Sequence, residues 1–296
     1  MSLLVAIPFG VASAIAYGAS TAVQHQAAHT GMGVPDARGL LRLLRDPRWL
    51  LSIGGDAIGL VLQVIALATG PVVLIQPLLV LTLPVSLFVG YLLGGPGPRR
   101  GDYLACLALI GGLGVFFVLL GSPGAGRAPH PRAILATVVI ALLAGGALCA
   151  LVSRSGATLR AAVYGGVAGA WFGTVGVLLN ATATQFTNHG VRGLLHAVGL
   201  APLLGVVVMG ALGLTLTQIS FQVGSLSASF PANKSADPVA AVILGAVLLH
   251  ERVHTGGFHV LGYLACLAAI VAGAVRLAAP ALGVREDPAA AAPGPQ

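Results

Sequence analysis

The sequence predicts an all-α fold: a polytopic transmembrane helix bundle of about nine spans, built as two inverted structural repeats of four spans plus a linking span. Three observations carry that reading. The 296 residues are 57% hydrophobic and only 8% charged, with a mean hydropathy of +0.96, so a water-soluble core of this length lacks the polar surface to cover itself. Nine apolar runs follow one another, each near the ~20 residues that a helix needs to cross a bilayer. Three sequence blocks of the first half recur, in the same order, in the second.

The runs fall near 3–22, 49–68, 71–94, 102–121, 132–152, 160–180, 199–219, 223–249 and 257–277. The first has no basic leader and no small-residue cleavage site, so it is read as a span rather than a removable signal. The second and third runs meet at Gly70 and the seventh and eighth near Gly224. Glycine lets the chain reverse there, which predicts two antiparallel hairpins. Residues 1–121 then form the first transmembrane repeat, 122–158 the linking span, 159–280 the second repeat, and 281–296 an Ala- and Pro-rich tail expected to be disordered. Two polar segments, 23–48 and 181–198, separate runs without spanning. In the first, Leu40, Leu41, Leu43 and Leu44 interleave with arginines, predicting a short amphipathic helix at the interface.

The 15 basic and 8 acidic residues give a formal charge of +7. The arginines lie between apolar runs, the pattern of topology determinants facing anionic lipid rather than of a folded basic face, so nucleic acid is excluded as a partner. An extracellular N-terminus puts ten arginines (38, 42, 45, 48, 99, 100, 154, 160, 276 and 285) on the cytoplasmic side and four (127, 132, 192 and 252) outside. The expected location is therefore the inner or plasma membrane, with the C-terminus cytoplasmic. Cys106, Cys149 and Cys266 each sit inside an apolar run with no CxxC spacing and read as small core residues. No catalytic residue, cofactor or metal is expected.

The internal repeat is the sharpest feature. Gly10-Val11-Ala12 and Ala14 recur as Gly166-Val167-Ala168 and Ala170. Gly70, Pro77, Pro84 and Val85 recur with the same spacing as Gly224, Pro231, Pro238 and Val239, and the six letters from Tyr103 to Ala108 return unchanged from Tyr263 to Ala268. The matching blocks lie five spans apart, an odd number, so the second half is expected upside down relative to the first. Two similar halves of opposite orientation can exchange inward-open and outward-open states at little free-energy difference. The expected function is secondary membrane transport of a small polar metabolite or ion by alternating access. A non-transporting membrane scaffold is the alternative. The expected partners are membrane lipid and a small-molecule or ion substrate, with a second copy of the chain as a further candidate.

Polar groups inside the spans mark the expected pathway, because a charge near the bilayer centre costs about 2.5–3.5 kcal/mol on insertion scales. In the eighth run Asn233, Lys234 and Asp237 share a polar stretch, with Lys234 and Asp237 three residues apart on one helical face. Asp56 in the second run is the other ionisable candidate, with Gln63 two turns on, and Gln218 falls within one residue of the matching position in the second repeat. Pro77, Pro84, Pro231 and Pro238 each remove a backbone donor and are expected to break their helices beside that pathway. Gln24 and His25, ending the first span, are candidate gate residues. The glycines 165, 166, 169 and 173 and the Gly90/Gly94 pair have small-xxx-small spacing, which permits close helix packing.

His250-Glu251-Arg252-Val253-His254 fits H-E-x-x-H, in which two histidines one turn apart bind zinc and the glutamate activates water. An intramembrane zinc protease is thus a further, lesser alternative. It is disfavoured because Gly256-Gly257 cuts the helix short, leaving His259 only loosely placed as a third ligand.

The run from Pro238 through Leu248-Leu249-His250-Glu251-Arg252 to Gly262-Tyr263-Leu264-Ala265-Cys266 resembles the half-repeat of EamA-type members of the drug/metabolite transporter (DMT) superfamily. There a mid-span proline is followed by a Leu-Gly-Glu-Arg-like element and a final helix with glycine. The first half, with Trp49, Asp56 and Gly70-Pro71-Val72-Val73-Leu74-Ile75-Gln76-Pro77-Leu78, is similar to the NIPA-like magnesium transporter branch, which has nine spans. That resemblance implies magnesium as an alternative substrate. Asp56 stands where that branch has glutamate, and Lys234 would repel a divalent cation.

Overall fold

A computed structural model of the chain describes residues 3–29, 47–95, 97–121, 126–127, 129–224, 226–251 and 256–281. Among them the ordered elements are helices, and no strand occurs: α1 (Leu3–His29), α2 (Pro47–Thr69), α3 (Val72–Leu78), a 3-10 turn (Leu79–Leu81), α4 (Thr82–Leu92), α5 (Arg100–Leu120), α6 (Pro131–Val152), α7 (Ala157–Leu195), α8 (Ala197–Val223), α9 (Leu226–Leu248) and α10 (His259–Ala281). Eight segments among the described residues are long and apolar enough to cross a membrane, with α3, the 3-10 turn and α4 forming one of them. Helices satisfy their backbone groups internally, the condition for crossing hydrocarbon. The chain is a multi-pass membrane protein.

α9 is also of spanning length, 23 residues, but the stretch from Asn233 to Asp237 makes it less apolar. Its surroundings compensate: α7, α8, α10 and α3 all pack against it, so its polar groups meet protein rather than lipid.

Two packing arrangements dominate. α1 runs antiparallel to α2, with Ser13 Oγ donating to the Gly59 carbonyl at 2.7 Å and the Tyr17 ring lying over Gly59. It runs parallel to α3 and α4, Gly10 facing Ile75 and Leu78, and Gly18 facing Val85. In the second half α7 packs on α8 and, in parallel, on α9. There Gly165, Gly169 and Gly173 lie directly against the backbone carbonyls of Ser229, Asn233 and Asp237. A side chain at any of these three would part the helices, so glycine is what allows the contact.

α5 and α10 pack antiparallel. Gly112 meets the Cys266 carbonyl, Gly273 meets that of Ala105, and Tyr263 Oη donates to the Leu119 carbonyl at 3.1 Å. Cys106 and Cys266 are buried and Cys149 partly so, all with free thiols.

The helix breaks differ from the sequence expectation. α9 is one continuous helix through Pro231 and Pro238, whereas the third run is interrupted by the 3-10 turn between Pro77 and Pro84. Pro84 gives the Val80 carbonyl no hydrogen bond and its ring crowds that carbonyl, and the chain tightens into a 3-10 turn there. Pro238 likewise leaves the Lys234 carbonyl without its intrahelical donor, but close packing on the α7 glycines keeps α9 helical. The sixth run also extends beyond residue 180. α7 continues to a kink at Gly190, where φ is 62°, and Thr182 and Thr187 return their hydroxyls to carbonyls four residues back at 2.8 Å. The first helix likewise continues past residue 22 to His29. The segment expected as an amphipathic helix and the tail beyond residue 281 lie outside the described residues.

Candidate functional site

A cavity of about 720 Å³ lies between the first-half helices and α7–α9, within the range of small-molecule sites. Its walls come from α1 (Tyr17, Thr21), α2 (Ile53, Asp56, Leu60, Gln63), α3 to α4 (Gln76, Leu79, Val80, Thr82, Leu83), α7 (Phe172, Val175, Gly176, Leu179), α8 (Leu214) and α9 (Lys234, Asp237, Pro238). Gln76, one turn into α3, and Leu179 form the floor. The exposed residues Thr21 and Ile53 mark the other end, where α1 nears its finish and α2 begins.

Four of the six polar residues predicted for the pathway line this space together: Asp56, Gln63, Lys234 and Asp237. Gln63 is buried and accepts a hydrogen bond from Tyr17 Oη at 3.0 Å. Lys234 places its ammonium over the Phe230 ring, 5.6 Å from the centroid. Phe230 precedes Lys234 and Asp237 follows it, so the ammonium is drawn back along α9. Asp237 Oδ1 is buried without a hydrogen-bond partner among the described residues. The ammonium thus leans toward Phe230 while one oxygen of Asp237 is left without a hydrogen bond among the described residues.

Asn233 and Gln218 lie elsewhere. Asn233 is buried against α8, donating to Thr217 Oγ1 at 3.2 Å. Gln218 is exposed and does not line the cavity. Thr217, the position that matches Gln63 in the repeat spacing, instead accepts the Asn233 hydrogen bond, and Leu214 is what α8 contributes to the cavity. Of the predicted prolines whose side chains are described, Pro238 lines the cavity, while Pro77 and Pro84 are buried and do not. Pro231 lies within α9. Gln24 and His25 belong to the last turns of α1, and their side chains lie outside the described residues.

Residues 30% identical to this chain's occur over 256 aligned positions in an uncharacterized protein of Corynebacterium glutamicum, a match spanning 85% of this chain and 86% of that one. The chain belongs to that protein's family. No family model matches it, and no solved structure does either.

In this family member the residue that the sequence reading missed most clearly is Gln76. It is 3% exposed, lines the cavity floor, and its Nε2 has no hydrogen-bond partner among the described residues. The side chain lies against Gly176, where a Cβ would collide with it. A polar amide inside the repeated Gly70-to-Pro84 block was the signal that could have found it. Tyr17, Thr82 and Phe172 also line the cavity without having been singled out.

The H-E-x-x-H segment has a different geometry from the one zinc binding needs. α9 ends at Leu248, and His250 leaves the helix with φ at 53°. His254 lies outside the described residues. Glu251 turns into the protein, 4% exposed. Its Oε1 accepts the Val72 N–H at 2.7 Å and its Oε2 the Val73 N–H at 2.8 Å, satisfying two of the orphan donors in the first turn of α3. Burial pushes the carboxyl above the usual carboxylate range, while the Val73 and Val72 N–H groups pull it down. On the other side of the same turn, Asn180 Nδ2 donates to the Leu67 carbonyl at 2.6 Å and the Gly70 carbonyl at 3.4 Å. Two second-half residues therefore hold both polar edges of the first hairpin's tip.

Proposed function

We propose that this protein is a secondary transporter that moves a small polar metabolite or ion across the inner or plasma membrane by alternating access. The observation that carries the reading is the cavity between the two halves, lined at membrane depth by Asp56, Lys234 and Asp237. Desolvating three ionisable groups costs several kcal/mol on insertion scales, about 2.5–3.5 each, which is intelligible where a polar solute must enter. The apolar remainder of the wall, including Leu60, Leu79, Leu83, Phe172 and Leu214, suits a solute that pairs charged or hydrogen-bonding groups with an apolar part.

The packing supports two inverted repeats. α1 meets α2 antiparallel and α3–α4 in parallel, and α7 stands in the same relation to α8 and α9. α7 runs against α3, since Gln76 faces Gly176 while Gly70 faces Asn180. These relations agree with the repeated sequence blocks and with DMT-like architecture. With the N-terminus outside, as the arginine distribution favours, the Thr21 and Ile53 end of the cavity faces the cytoplasm.

Purified protein should be screened for thermal stabilisation by small amines, carboxylates, zwitterions and magnesium, because a ligand that binds only the native state raises its apparent stability. The reading expects an organic solute or monovalent ion to stabilise the protein and to cross proteoliposome membranes. It also expects Lys234→Met and Asp237→Asn to remove both effects. Magnesium alone as a transported ligand would favour the NIPA-like alternative. Absence of any ligand and any flux from folded protein would leave the scaffold reading.

A further inference from the structure

We propose that Glu251 is a latch holding one end of the cavity shut, and that its release from Val72 and Val73 opens that end while closing the other. The proposal rests on the alternating-access reading above, and it concerns the end of the bundle opposite Thr21 and Ile53.

The geometry there is a clasp between halves. Glu251 follows α9, while the N–H groups it accepts begin α3, 179 and 178 residues away in sequence. Gln76, on the cavity floor, lies one helical turn beyond Val72. A solute passing from the floor to this end must therefore move past the hairpin tip that Glu251 grips. The connection carrying Glu251 is itself anchored: the Glu251 N–H donates to the Gly245 carbonyl at 3.2 Å, and the Arg127 N–H to the Leu249 carbonyl at 2.7 Å. Small residues let the carboxylate approach. A Cβ on Gly245 would meet Val73 Cγ2 at 2.9 Å and Glu251 Oε2 at 3.0 Å, and one on Gly126 would meet Glu251 Cγ at 3.1 Å.

The repeat makes the latch one-sided. The spacing that matches Gly70 to Gly224 and Pro84 to Pro238 places Gly97 opposite Glu251. The α4–α5 connection therefore has no carboxylate at that position to grip the start of α9. One end of the pathway is fastened by a charged group with two backbone donors, and the matching position at the other end is not. This difference biases the protein toward the state in which the Glu251 end is closed.

The test is thiol accessibility, which needs no known substrate. In a background with Cys106, Cys149 and Cys266 replaced by alanine, single cysteines are placed at Val73 beneath the latch, at Thr21 by the opposite end, and at buried Met209 as a control. Each is alkylated with N-ethylmaleimide in protein reconstituted into lipid nanodiscs, with and without Glu251→Gln. The amide oxygen of Gln can accept only in place of one carboxylate oxygen, and its NH2 faces the remaining donor.

The expected result is labelling of V73C at least about tenfold faster in E251Q, the factor that ~1.4 kcal/mol represents. T21C should label more slowly and M209C unchanged. Unchanged V73C labelling overturns the latch. So does faster V73C without slower T21C, which is local fraying, and so does faster labelling at all three sites, which is general loosening. If the reciprocal shift is seen but no solute stabilises or crosses, the transport assignment fails while the latch stands.

Discussion

Replacing Gly169 and Gly166 separately by alanine tests the packing that positions the charged helix, because the two glycines are three residues apart on α7 and differ in surroundings. A Cβ on Gly166 meets nothing within 4 Å, whereas one on Gly169 collides with the Asn233 carbonyl oxygen and lies 2.8 Å from its carbon. Alanine in a helix interior gains up to ~1 kcal/mol over glycine. Overpacking against backbone that cannot rotate away costs about 1–3 kcal/mol. Gly166→Ala should therefore be neutral to stabilising by up to ~1 kcal/mol. In Gly169→Ala the overpacking wins, leaving a net loss of up to ~2 kcal/mol. Relief requires α7 and α9 to part by roughly 1 Å, a gap that already forfeits a quarter to a half of the dispersion contact. Since α9 carries Lys234 and Asp237, Gly169→Ala should also weaken solute stabilisation and Gly166→Ala should not. Denaturant unfolding of the purified protein, followed by helical circular dichroism, measures the first effect. A Gly169→Ala protein as stable as Gly166→Ala would refute the reasoning.

Asn180→Ala leaves the buried carbonyls of Leu67 and Gly70 without their side-chain donor and should cost about 1–3 kcal/mol in the same assay. Gln76→Leu removes an unpartnered cavity donor and should weaken solute binding about tenfold, the size of one net hydrogen bond. Gln218→Leu, on the exposed face, should leave the concentration dependence of thermal stabilisation unchanged. The raised carboxyl of Glu251 means that the folded state binds its proton more tightly than the unfolded chain does. Its contribution to stability is then present below the ordinary glutamate range near 4.5 and is lost as pH rises through the folded value. The stability difference between wild type and Glu251→Gln, followed by thermal unfolding across that window, should fall with rising pH. A flat or rising difference contradicts the burial argument.

Hydropathy made the spans legible, because the bilayer imposes a length and a composition on each one. Glycine made the hairpin tips legible: Gly70 stands between α2 and α3, and Gly224 ends α8. The meeting of Asp56, Gln63, Lys234 and Asp237 could be anticipated because charge at membrane depth needs a wet or protein-lined place. What was not legible depends on rotation and on neighbours. Gln218 is exposed although Leu214, one turn earlier on α8, lines the cavity. Gln76 stood out only as an amide inside the repeated Gly70-to-Pro84 block, and its place in the cavity wall depends on how α3 packs against Gly176 of α7. Glu251 was obscured by a motif whose letters fit zinc while its backbone does not. Its partners are N–H groups at Val72 and Val73, which no side-chain pattern announces.

One of the two proline-bearing runs is interrupted, at Leu79–Leu81, and the other is continuous through Pro231 and Pro238. A break in α9 would have removed further backbone partners from the helix that already carries Lys234 and Asp237, adding unsatisfied carbonyls to unsatisfied charges. Instead the irregular turn falls at Leu79–Leu81, in a segment whose side chains there are apolar. Leu79 and Val80 both line the cavity, and the turn keeps the Leu79 and Val80 carbonyls paired with backbone N–H groups. The first half contributes the Asp56 carboxyl and the Gln63 and Gln76 amides, while the second contributes a regular helix with the Lys234 ammonium and the Asp237 carboxyl. Both halves bear the cost of polar groups in the membrane, and the cavity is where those groups meet. Gln76 and Asp237 line the same space from different halves of the chain, so solute binding measured on the two single variants and the double variant should show coupling rather than additivity.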